Sequence, residues 1–290
     1  MDDKRTMLQK LRTYLEMIRF SHTVFALPFA FMGAVLAAGG IPTGQKIFWI
    51  LVAMVGARSG AMGMNRYADR HLDTMNPRTK DRALPQGKIT PRQALIFVCV
   101  SFGVLLVAAW MLNPLCFALA PVAILIVSGY SYTKRFSTLT HLILGLSLAL
   151  APIGAWIAVT GQWALSAVVL STAVLFWVAG FDILYALMDI EFDRRTGLFS
   201  IPARLGEHGG MAVAGLCHIV TVICLALLIP LLGLGKVYLA GLLLAMALLL
   251  YEHWLLYRHG LAKLNVAFFN VNGILSIGMF LFTLGDLLIG

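Results

Sequence analysis

Residues 47–73 read IFWILVAMVGARSGAMGMNRYADRHLD, an apolar run that ends in a regularly spaced polar segment. The apolar part, residues 47–64, is close to the roughly 20 residues that a helix needs to cross the hydrocarbon core of a bilayer. From Asn65 onward polar residues recur every fourth position, so Asn65, Asp69 and Asp73 share one face if the helix continues. The stretch predicts a transmembrane helix that ends in a ladder of side-chain oxygens, called the first ladder here.

A second acidic segment ends another apolar run. Asp189, Glu191 and Asp193 form this second ladder, and Asp182 and Tyr185 precede it on the same predicted helix. Carboxylates gathered in this way repel one another, and hard divalent cations are the usual partners of oxygen-only ligands. We therefore expect a Mg²⁺ site between two helix ends, with the ligands Asn65, Asp69, Asp73, Asp189, Glu191 and Asp193.

Composition places the chain in a membrane. Of its 290 residues, 60% are hydrophobic and only 12% are charged, which excludes an ordinary soluble domain. Apolar runs long enough to cross the bilayer recur along the chain and predict an all-α, polytopic membrane bundle of nine transmembrane helices. The predicted spans are approximately residues 20–39, 47–64, 93–112, 114–130, 139–160, 164–187, 212–232, 236–257 and 266–288.

The N-terminal segment differs from the rest of the chain. Residues 1–19 carry mixed charges and no small-residue cleavage site, so no removable signal peptide is expected. Their apolar residues recur at helical spacing, which predicts an amphipathic helix at the cytoplasmic membrane surface. Residues 20–290 are predicted to form a single transmembrane domain.

The distribution of positive charge predicts how the chain is oriented. The net charge is +9, but Lys and Arg concentrate before the first span and in the loops after the second, fourth, sixth and eighth spans. This pattern indicates membrane topology rather than a nucleic-acid partner, because positively charged loops stay in the cytoplasm. The N-terminus and both ladders are therefore predicted to be cytoplasmic, and nine spans place the C-terminus outside.

One arginine lies inside a predicted span. Arg58 precedes Asn65 by two helical turns on the same face, which directs it into the bundle beneath the first ladder. A charge within the membrane is costly and needs a partner. Arg58 either holds an anionic group of a substrate or pairs structurally with a carboxylate such as Asp182. His22, in the first span, either faces the same site or meets lipid headgroups.

Basic and phenolic side chains follow both ladders. Residues 74–91 form a basic loop, and a second group of cations and phenols follows the fourth span. Arg and Lys supply the charge-assisted hydrogen bonds that diphosphate oxygens need beyond a metal ion. The predicted substrate-binding residues are Arg58, Asn65, Arg66, Arg70, Arg78, Arg82, Tyr132, Lys134, Arg135, Arg194 and His22.

The ladders and their loops resemble the UbiA superfamily of intramembrane aromatic prenyltransferases. The family pattern Asn-Asp-x-x-Asp-x-x-x-Asp matches residues 65–73 except at Arg66, and Tyr-x-x-x-Asp-x-x-x-Asp matches residues 185–193. Residues 82–87 (RALPQG) and 132–135 (YTKR) also look like family signatures. The resemblance implies a UbiA-like bundle of nine spans in which cytoplasmic loop helices cap the active site.

The resemblance also implies an activity. It is the Mg²⁺-dependent transfer of a polyprenyl group from polyprenyl diphosphate to an aromatic carboxylate acceptor, at the bacterial inner membrane. Lys134 and loop arginines would neutralise the departing diphosphate, Arg58 would hold the acceptor, and Asp182 or a water molecule would take the ring proton. The expected catalytic residues are Asp182, Tyr185, Lys134 and Arg58.

Two departures from the family pattern bear on the acceptor. Arg66 replaces the second Asp of the first motif, and residues 21–23 (SHT) stand where many ubiquinone-pathway members have Asp-Lys-Pro. Both features resemble a branch associated with menaquinone synthesis through futalosine, whose acceptor is a dihydroxynaphthoate. The expected acceptor is therefore of the 4-hydroxybenzoate or the 1,4-dihydroxy-6-naphthoate type.

Two other functions are compatible with acids in a membrane bundle. A CDP-alcohol phosphotransferase also uses Mg²⁺-binding aspartates, but its contiguous Asp-x-x-Asp-Gly string is absent here. A divalent cation transporter would carry acids near the middle of the bilayer. Both ladders lie instead at the ends of predicted spans, which favours a substrate with a water-soluble head and a lipid tail.

Overall fold

The computed structural model describes residues 13–18, 26–260, 264 and 270–289, and these residues contain helices and no strand. The helices are α1 (Ala26–Ala38), α2 (Gly44–Met75), α3 (Pro91–Leu112), α4 (Pro114–Thr133), α5 (Thr140–Thr160), α6 (Leu165–Ala186), α7 (Ile190–Thr196), α8 (Ile201–Leu232), α9 (Lys236–His259) and α10 (Asn272–Ile289). A 3₁₀ turn, Leu187–Asp189, joins α6 to α7.

The predicted spans are present as helices. In the described part of the chain, 8 helical segments are long and apolar enough to cross a membrane, and they coincide with the second to ninth predicted spans. α1 supplies the first span with 13 described residues, while residues 20–25 of that prediction lie outside the described chain. The prediction of an all-α polytopic bundle is confirmed.

The segment before the bundle is partly described. Residues 13–17 are helical, and Ile18 is buried in a cluster with Ile89, whereas Leu15 is 41% exposed. The remaining apolar positions of the predicted amphipathic helix fall in residues 1–12, outside the described chain. The described end of this segment therefore packs against the turn that precedes α3.

Polar caps fix where the helices after the loops begin. Thr90 forms a capping box with Gln93 at the start of α3, Asn113 caps α4, and Ser200 caps α8. Each cap is followed by a proline in the first turn, where its missing N–H costs nothing. Thr90 and Ser200 end the two connections on the ladder side that carry basic residues, whereas Asn113 caps α4 at the opposite end of the bundle.

α6 forms the centre of the bundle and has its most buried face. Trp177 is fully buried there, and α5 and α8 pack on either side. Gly145 of α5 leaves no room for a Cβ because it lies against the backbone of Leu175, and Gly33 of α1 meets Pro152 in the same way. Small residues let membrane helices approach this closely, since lipid gives helices little hydrophobic reason to associate.

A carboxylate on the last helix caps its neighbour. Asp286 of α10 is 8% exposed and accepts hydrogen bonds from the backbone N–H groups of Gly235, Val237 and Tyr238, at 2.7, 3.1 and 3.1 Å. The first N–H groups of a helix have no partner within it, and a carboxylate there also meets the positive end of the helix dipole. Asp286 therefore joins the start of α9 to the end of α10.

Five helices enclose a cavity. α2, α3, α4, α5 and α6 surround about 550 Å³ of mostly apolar space. Arg58, Tyr130 and Asp182 line it toward the helix ends that carry the ladders, and Trp163, after α5, lines the opposite end. The fold thus places a mostly apolar cavity next to the charged helix ends.

Candidate active site

The first ladder is helical because α2 continues through it to Met75. Asp69 is only 3% exposed, and its carboxylate meets three side chains. Lys134 Nζ lies 2.8 Å from Oδ2, Arg135 Nη2 donates to Oδ1 at 3.1 Å, and Asn65 Nδ2 donates to Oδ2 at 3.3 Å. A buried carboxylate requires such partners. Four residues predicted for the site are therefore in contact.

Asp73, one turn further on, is held by the loop that follows α2. Arg82 Nη1 donates to its two carboxylate oxygens at 2.7 and 2.9 Å. The hydroxyl of Thr79 donates to the backbone carbonyl of Asp73 at 3.2 Å. Residues 76–90, built of turns rather than a loop helix, fold back over the first ladder through these bonds.

The same loop reaches the second ladder. Arg78 donates through Nε and Nη2 to Asp189, at 3.2 and 2.5 Å, and through Nη1 to the Tyr185 hydroxyl at 3.3 Å. Asn76 Nδ2 also donates to Asp189, at 3.2 Å. Burial acts to lower the pKa of Arg78, but hydrogen bonding to Asp189 and its charge outweigh it and raise that pKa above its ordinary value. The guanidinium is therefore firmly cationic and joins the two ladders.

The second ladder ends in the short helix α7, which lies in the connection between α6 and α8. Asp193 is half-buried, whereas Glu191 is exposed. After Gly197, whose positive φ of 69° turns the chain, the N–H of Phe199 donates to the carbonyl of Lys134 at 2.7 Å. Lys134 thus contacts the first ladder with its side chain and the segment after the second ladder with its backbone.

The chemistry of these groups fits a hard cation. All six predicted metal ligands offer oxygen, which is what Mg²⁺ prefers. In the described residues no three acidic, His or Cys side chains converge closely enough to hold a metal ion. Lys134, Arg135, Arg82 and Arg78 instead contact three of the carboxylates, so positive charge already sits where a divalent cation would bind.

Below the ladders, Asp182 lines the cavity beside a buried histidine. Asp182 Oδ2 lies 2.7 Å from Nδ1 of His141, and their side chains are 26% and 3% exposed. The backbone N–H of Ile201 donates to the other ring nitrogen, Nε2, at 3.3 Å. Arg58 and Tyr130 line the same cavity, so a carboxylate, a guanidinium and a phenol surround its upper part.

Comparison with known proteins identifies the family of this chain. The model of the UbiA prenyltransferase family matches residues 26–281. The chain belongs to this family. A 4-hydroxybenzoate octaprenyltransferase from Shewanella sediminis is 31% identical over 270 residues, covering 91% of this chain and 93% of the relative.

Solved structures support the assignment. The apo structure of a UbiA homolog from Aeropyrum pernix superposes with a TM-score of 0.82 at 32% identity, covering 93% of this chain and 97% of that chain. A UbiA homolog from Archaeoglobus fulgidus bound to DMAPP and Mg²⁺ gives a TM-score of 0.75, covering 96% of this chain and 100% of that chain. Its identity is 20%, so that likeness shows the fold alone.

Membership in the UbiA family confirms several predictions. The chain is an enzyme, a polyprenyltransferase, and a multi-pass membrane protein. The predicted family and fold class are both correct. A CDP-alcohol phosphotransferase and a divalent cation transporter, the two alternative functions, do not match this family.

Other predicted site residues of this UbiA family member make local contacts. Arg66 is 6% exposed and donates to Asn65 Oδ1 at 3.0 Å and to the carbonyl of Met17 at 3.2 Å. It therefore ties the N-terminal segment to the first ladder. Arg70 Nη1 donates to the carbonyl of Tyr67 on its own helix at 2.7 Å.

Two more predicted residues lie at the rim of the site. Tyr132 is 40% exposed and packs under the guanidinium of Arg135, whose central carbon is 5.1 Å from the ring centroid. Arg194 is exposed, and its Nε donates to the carbonyl of Ala203 at the start of α8, at 2.7 Å. His22 lies outside the described residues.

Three residues near the site were absent from the predicted set. Asn76 bonds Asp189, Tyr130 lines the cavity, and His141 bonds Asp182. Asn76 had a local signal, since it opens the Asn-Pro turn after the first ladder. His141 had only the weak signal of a lone imidazole near the start of an apolar span, so its partner emerged only from the structure.

Proposed function

We propose that this UbiA family member transfers a polyprenyl group from a polyprenyl diphosphate to an aromatic acceptor in quinone biosynthesis. One observation carries the proposal: paired carboxylates and cations border a mostly apolar cavity of about 550 Å³. The diphosphate head of a prenyl donor needs the charged groups, and its isoprenoid chain needs the apolar cavity. Arg58 and Asp182, in the upper part of the cavity, mark the boundary between the two.

The cations of the site are proposed to bind the donor head. Lys134 and Arg135 on one side, with Arg78 and Arg82 on the other, present several donors for phosphate oxygens. Tyr185 accepts a hydrogen bond from Arg78, and we assign it to holding that guanidinium in place. When the C–O bond of the donor breaks, its electron pair goes to the diphosphate, and these cations stabilise the new negative charge.

Mg²⁺ use is proposed from the oxygen-only donor set, with Asn65, Asp69, Asp73, Asp189, Glu191 and Asp193 as ligands. The Archaeoglobus homolog bound to DMAPP and Mg²⁺ supports this part of the proposal. The bound metal supplies positive charge for the departing diphosphate. The basic side chains that contact the carboxylates in this structure would then be free to turn toward phosphate oxygens.

The acceptor is proposed to bind where the cavity meets the polar site. Arg58 is a partner for a carboxylate on the aromatic ring, and Asp182 is the group that takes the ring proton after the new bond forms. Relatives named 4-hydroxybenzoate octaprenyltransferase favour 4-hydroxybenzoate. Arg66 and residues 21–23 resemble the branch associated with menaquinone synthesis through futalosine, which favours 1,4-dihydroxy-6-naphthoate as a second candidate.

The arrangement in the membrane is also a proposal. We place residues 1–19 at the cytoplasmic surface of a bacterial inner membrane and residues 20–290 in one transmembrane domain. The N-terminus and both ladders face the cytoplasm, where water-soluble acceptors and Mg²⁺ are found, and the C-terminus faces outward. The basic loops on the ladder side support this orientation.

An assay of the purified protein in lipid tests the function. It combines Mg²⁺ and a polyprenyl diphosphate with 4-hydroxybenzoate or 1,4-dihydroxy-6-naphthoate in separate reactions. We expect prenylation of one acceptor, with a loss of about a hundredfold or more in Asp69→Ala and Asp189→Ala, because each removes a carboxylate of the proposed metal site. Asp81→Asn, an exposed acid in the adjacent loop, is the matched control and should retain activity.

Each result of this assay has a distinct meaning. Product with one acceptor identifies the pathway. Diphosphate release that depends on Mg²⁺ but yields product with neither acceptor shows that the acceptor assignment is wrong while donor activation stands. No release from well-folded protein contradicts the proposed reaction.

A further inference from the structure

We infer that His141 is a positioning residue for Asp182, fixing that carboxylate in the orientation that takes the ring proton from the acceptor. The inference rests on the proposed function, since it concerns the last step of the same reaction. Neither the ladder motifs nor the basic loops include this histidine, which lies on α5, opposite the helix that carries Asp182.

The contacts of His141 determine which of its nitrogens carries the proton. The N–H of Ile201 is only a donor, so Nε2 accepts its hydrogen bond at 3.3 Å. The proton of a neutral imidazole is then on Nδ1, which lies 2.7 Å from Asp182 Oδ2. His141 therefore donates to Asp182, and one oxygen of that carboxylate is committed to this bond.

Burial makes this orientation stable. His141 is 2% exposed and lies between α5, α6 and the start of α8, so its ring has little freedom to turn. Asp182 keeps 26% of its side chain accessible and lines the cavity. With Oδ2 held by the imidazole, Oδ1 is left to face a substrate, and a carboxylate fixed at one oxygen has a defined direction for the other.

The step in which Asp182 acts balances without another reagent. Carbon C1 of the prenyl group bonds to a ring carbon, and the electron pair of the broken C–O bond leaves with the diphosphate. The ring C–H bond then breaks, its electron pair restores aromaticity, and the proton moves to the free oxygen of Asp182. His141 keeps its own proton and its contact with Oδ2 throughout, and Asp182 then loses the added proton to water.

Two consequences follow for a protein without the imidazole. A mobile Asp182 removes the ring proton more slowly, so proton removal becomes a larger part of the overall rate. The protonated ring intermediate also has longer to break its new C–C bond and return to the prenyl cation, which water captures, so more polyprenol forms for each diphosphate released. Donor activation depends on the ladders instead and should change little.

The experiment compares His141→Leu with His141→Asn. Leucine fills the space without a donor, whereas the Asn amide carries an N–H close to the place of Nδ1. We expect His141→Leu to lower prenyl transfer by about tenfold to a hundredfold, as misplaced catalytic groups do. It should also raise the share of polyprenol and enlarge the kinetic isotope effect measured with ring-deuterated acceptor. His141→Asn should bring the polyprenol share and the isotope effect most of the way back to their wild-type values.

A second pair of variants tests the same idea without removing the imidazole. Ile201→Pro deletes the N–H that holds Nε2, at the first position of α8, where proline is well tolerated after an extended residue such as Ser200. Ile201→Val keeps the N–H and has a similar volume, so it is the matched control. We expect a smaller shift of the isotope effect and the polyprenol share in the same direction for Ile201→Pro alone.

The outcomes are decisive. In His141→Leu, prenyl transfer and diphosphate release could fall together while the polyprenol share and the isotope effect stay unchanged. That result would make His141 merely structural and would overturn the inference. So would a His141→Asn variant no better than His141→Leu. If His141→Leu does not fold, the comparison of Ile201→Pro with Ile201→Val decides by the same two readouts. Well-folded wild-type protein that neither prenylates an acceptor nor releases diphosphate overturns the proposed function, and with it this step.

Discussion

The sequence predicted which residues belong to the site, but it did not predict which residues they contact. Four-residue spacing identified Asp69, Asp73 and Asp189, because a helix repeats its faces at that interval. The partners of these residues come from distant segments: Lys134 meets Asp69 across 65 residues, and Arg78 meets Asp189 across 111. Spacing along one helix carries no information about such contacts, since they depend on how the helices pack.

Arg78 should contribute directly to binding of the donor diphosphate. Its guanidinium contacts Asp189 and Tyr185, and it is proposed to turn to the donor diphosphate. Replacing it with Met keeps the length and removes the charge. Hydrogen bonds to charged groups contribute about 1.5–3 kcal/mol, so Arg78→Met should lower kcat/KM for the polyprenyl diphosphate by about tenfold to a hundredfold. Steady-state kinetics at saturating acceptor measure this.

The control for Arg78→Met is Lys88→Met. Lys88 is an exposed cation of the same loop, and its removal changes the net charge equally. It should leave kcat/KM for the donor nearly unchanged. Equal losses in the two variants would mean that Arg78 acts through general electrostatic attraction and not through contact with the substrate.

The sequence predicted the number and order of the membrane helices well, but it predicted the residues at which they begin less well. The second to ninth spans coincide with helices of the described chain, because runs of apolar residues reveal a membrane helix directly. The seventh predicted span begins at residue 212, but α8 begins at Ile201 and contains a break at Gly206, where φ is 75°. The polar residues of that first part hid its helical character. Asp286, which no sequence pattern singled out, caps α9.

The Asp286 cap leads to a prediction about how two helices are joined. Asp286→Leu leaves the first N–H groups of α9 without their carboxylate, so we expect it to destabilise the protein by about 1–3 kcal/mol. Asp286→Asn, which keeps one acceptor oxygen, should lie between this variant and wild type. Thermal unfolding in detergent measures the effect, and prenyl transfer below the melting temperature should be unaffected because the cap is remote from the ladders.

Leu288→Ala is the comparison for Asp286→Leu. Leu288 is 60% exposed on the same helix, so truncating it removes little buried surface. Its melting temperature should remain near that of wild type. A shift as large as that of Asp286→Leu would show that any change at the end of α10 weakens the bundle, whether or not the cap is present.

In the molecule as a whole, the connections on the ladder side act as one polar cap over the cavity. The loop after α2 bonds the second ladder through Asn76 and Arg78, and Phe199 bonds the backbone of Lys134. The sequence indicated that these loops share one side of the membrane, since they hold most of the positive charge. It did not indicate that they contact one another, because no local pattern encodes contacts between loops.

This polar cap is expected to face the cytoplasm. Positively charged loops remain in the cytoplasm, so the ladder side should be inaccessible from outside intact cells. Asp81→Cys lies in the basic loop and Gln162→Cys in the short connection between α5 and α6, and both positions are exposed. A membrane-impermeant maleimide should label Gln162→Cys in intact cells and Asp81→Cys only after permeabilisation. The parent protein, with its native Cys99, Cys116, Cys217 and Cys224, gives the background. Because each variant is the control for the other, reversed labelling would place the ladders outside, away from the cytoplasmic supply of prenyl diphosphate, and would contradict the proposed arrangement.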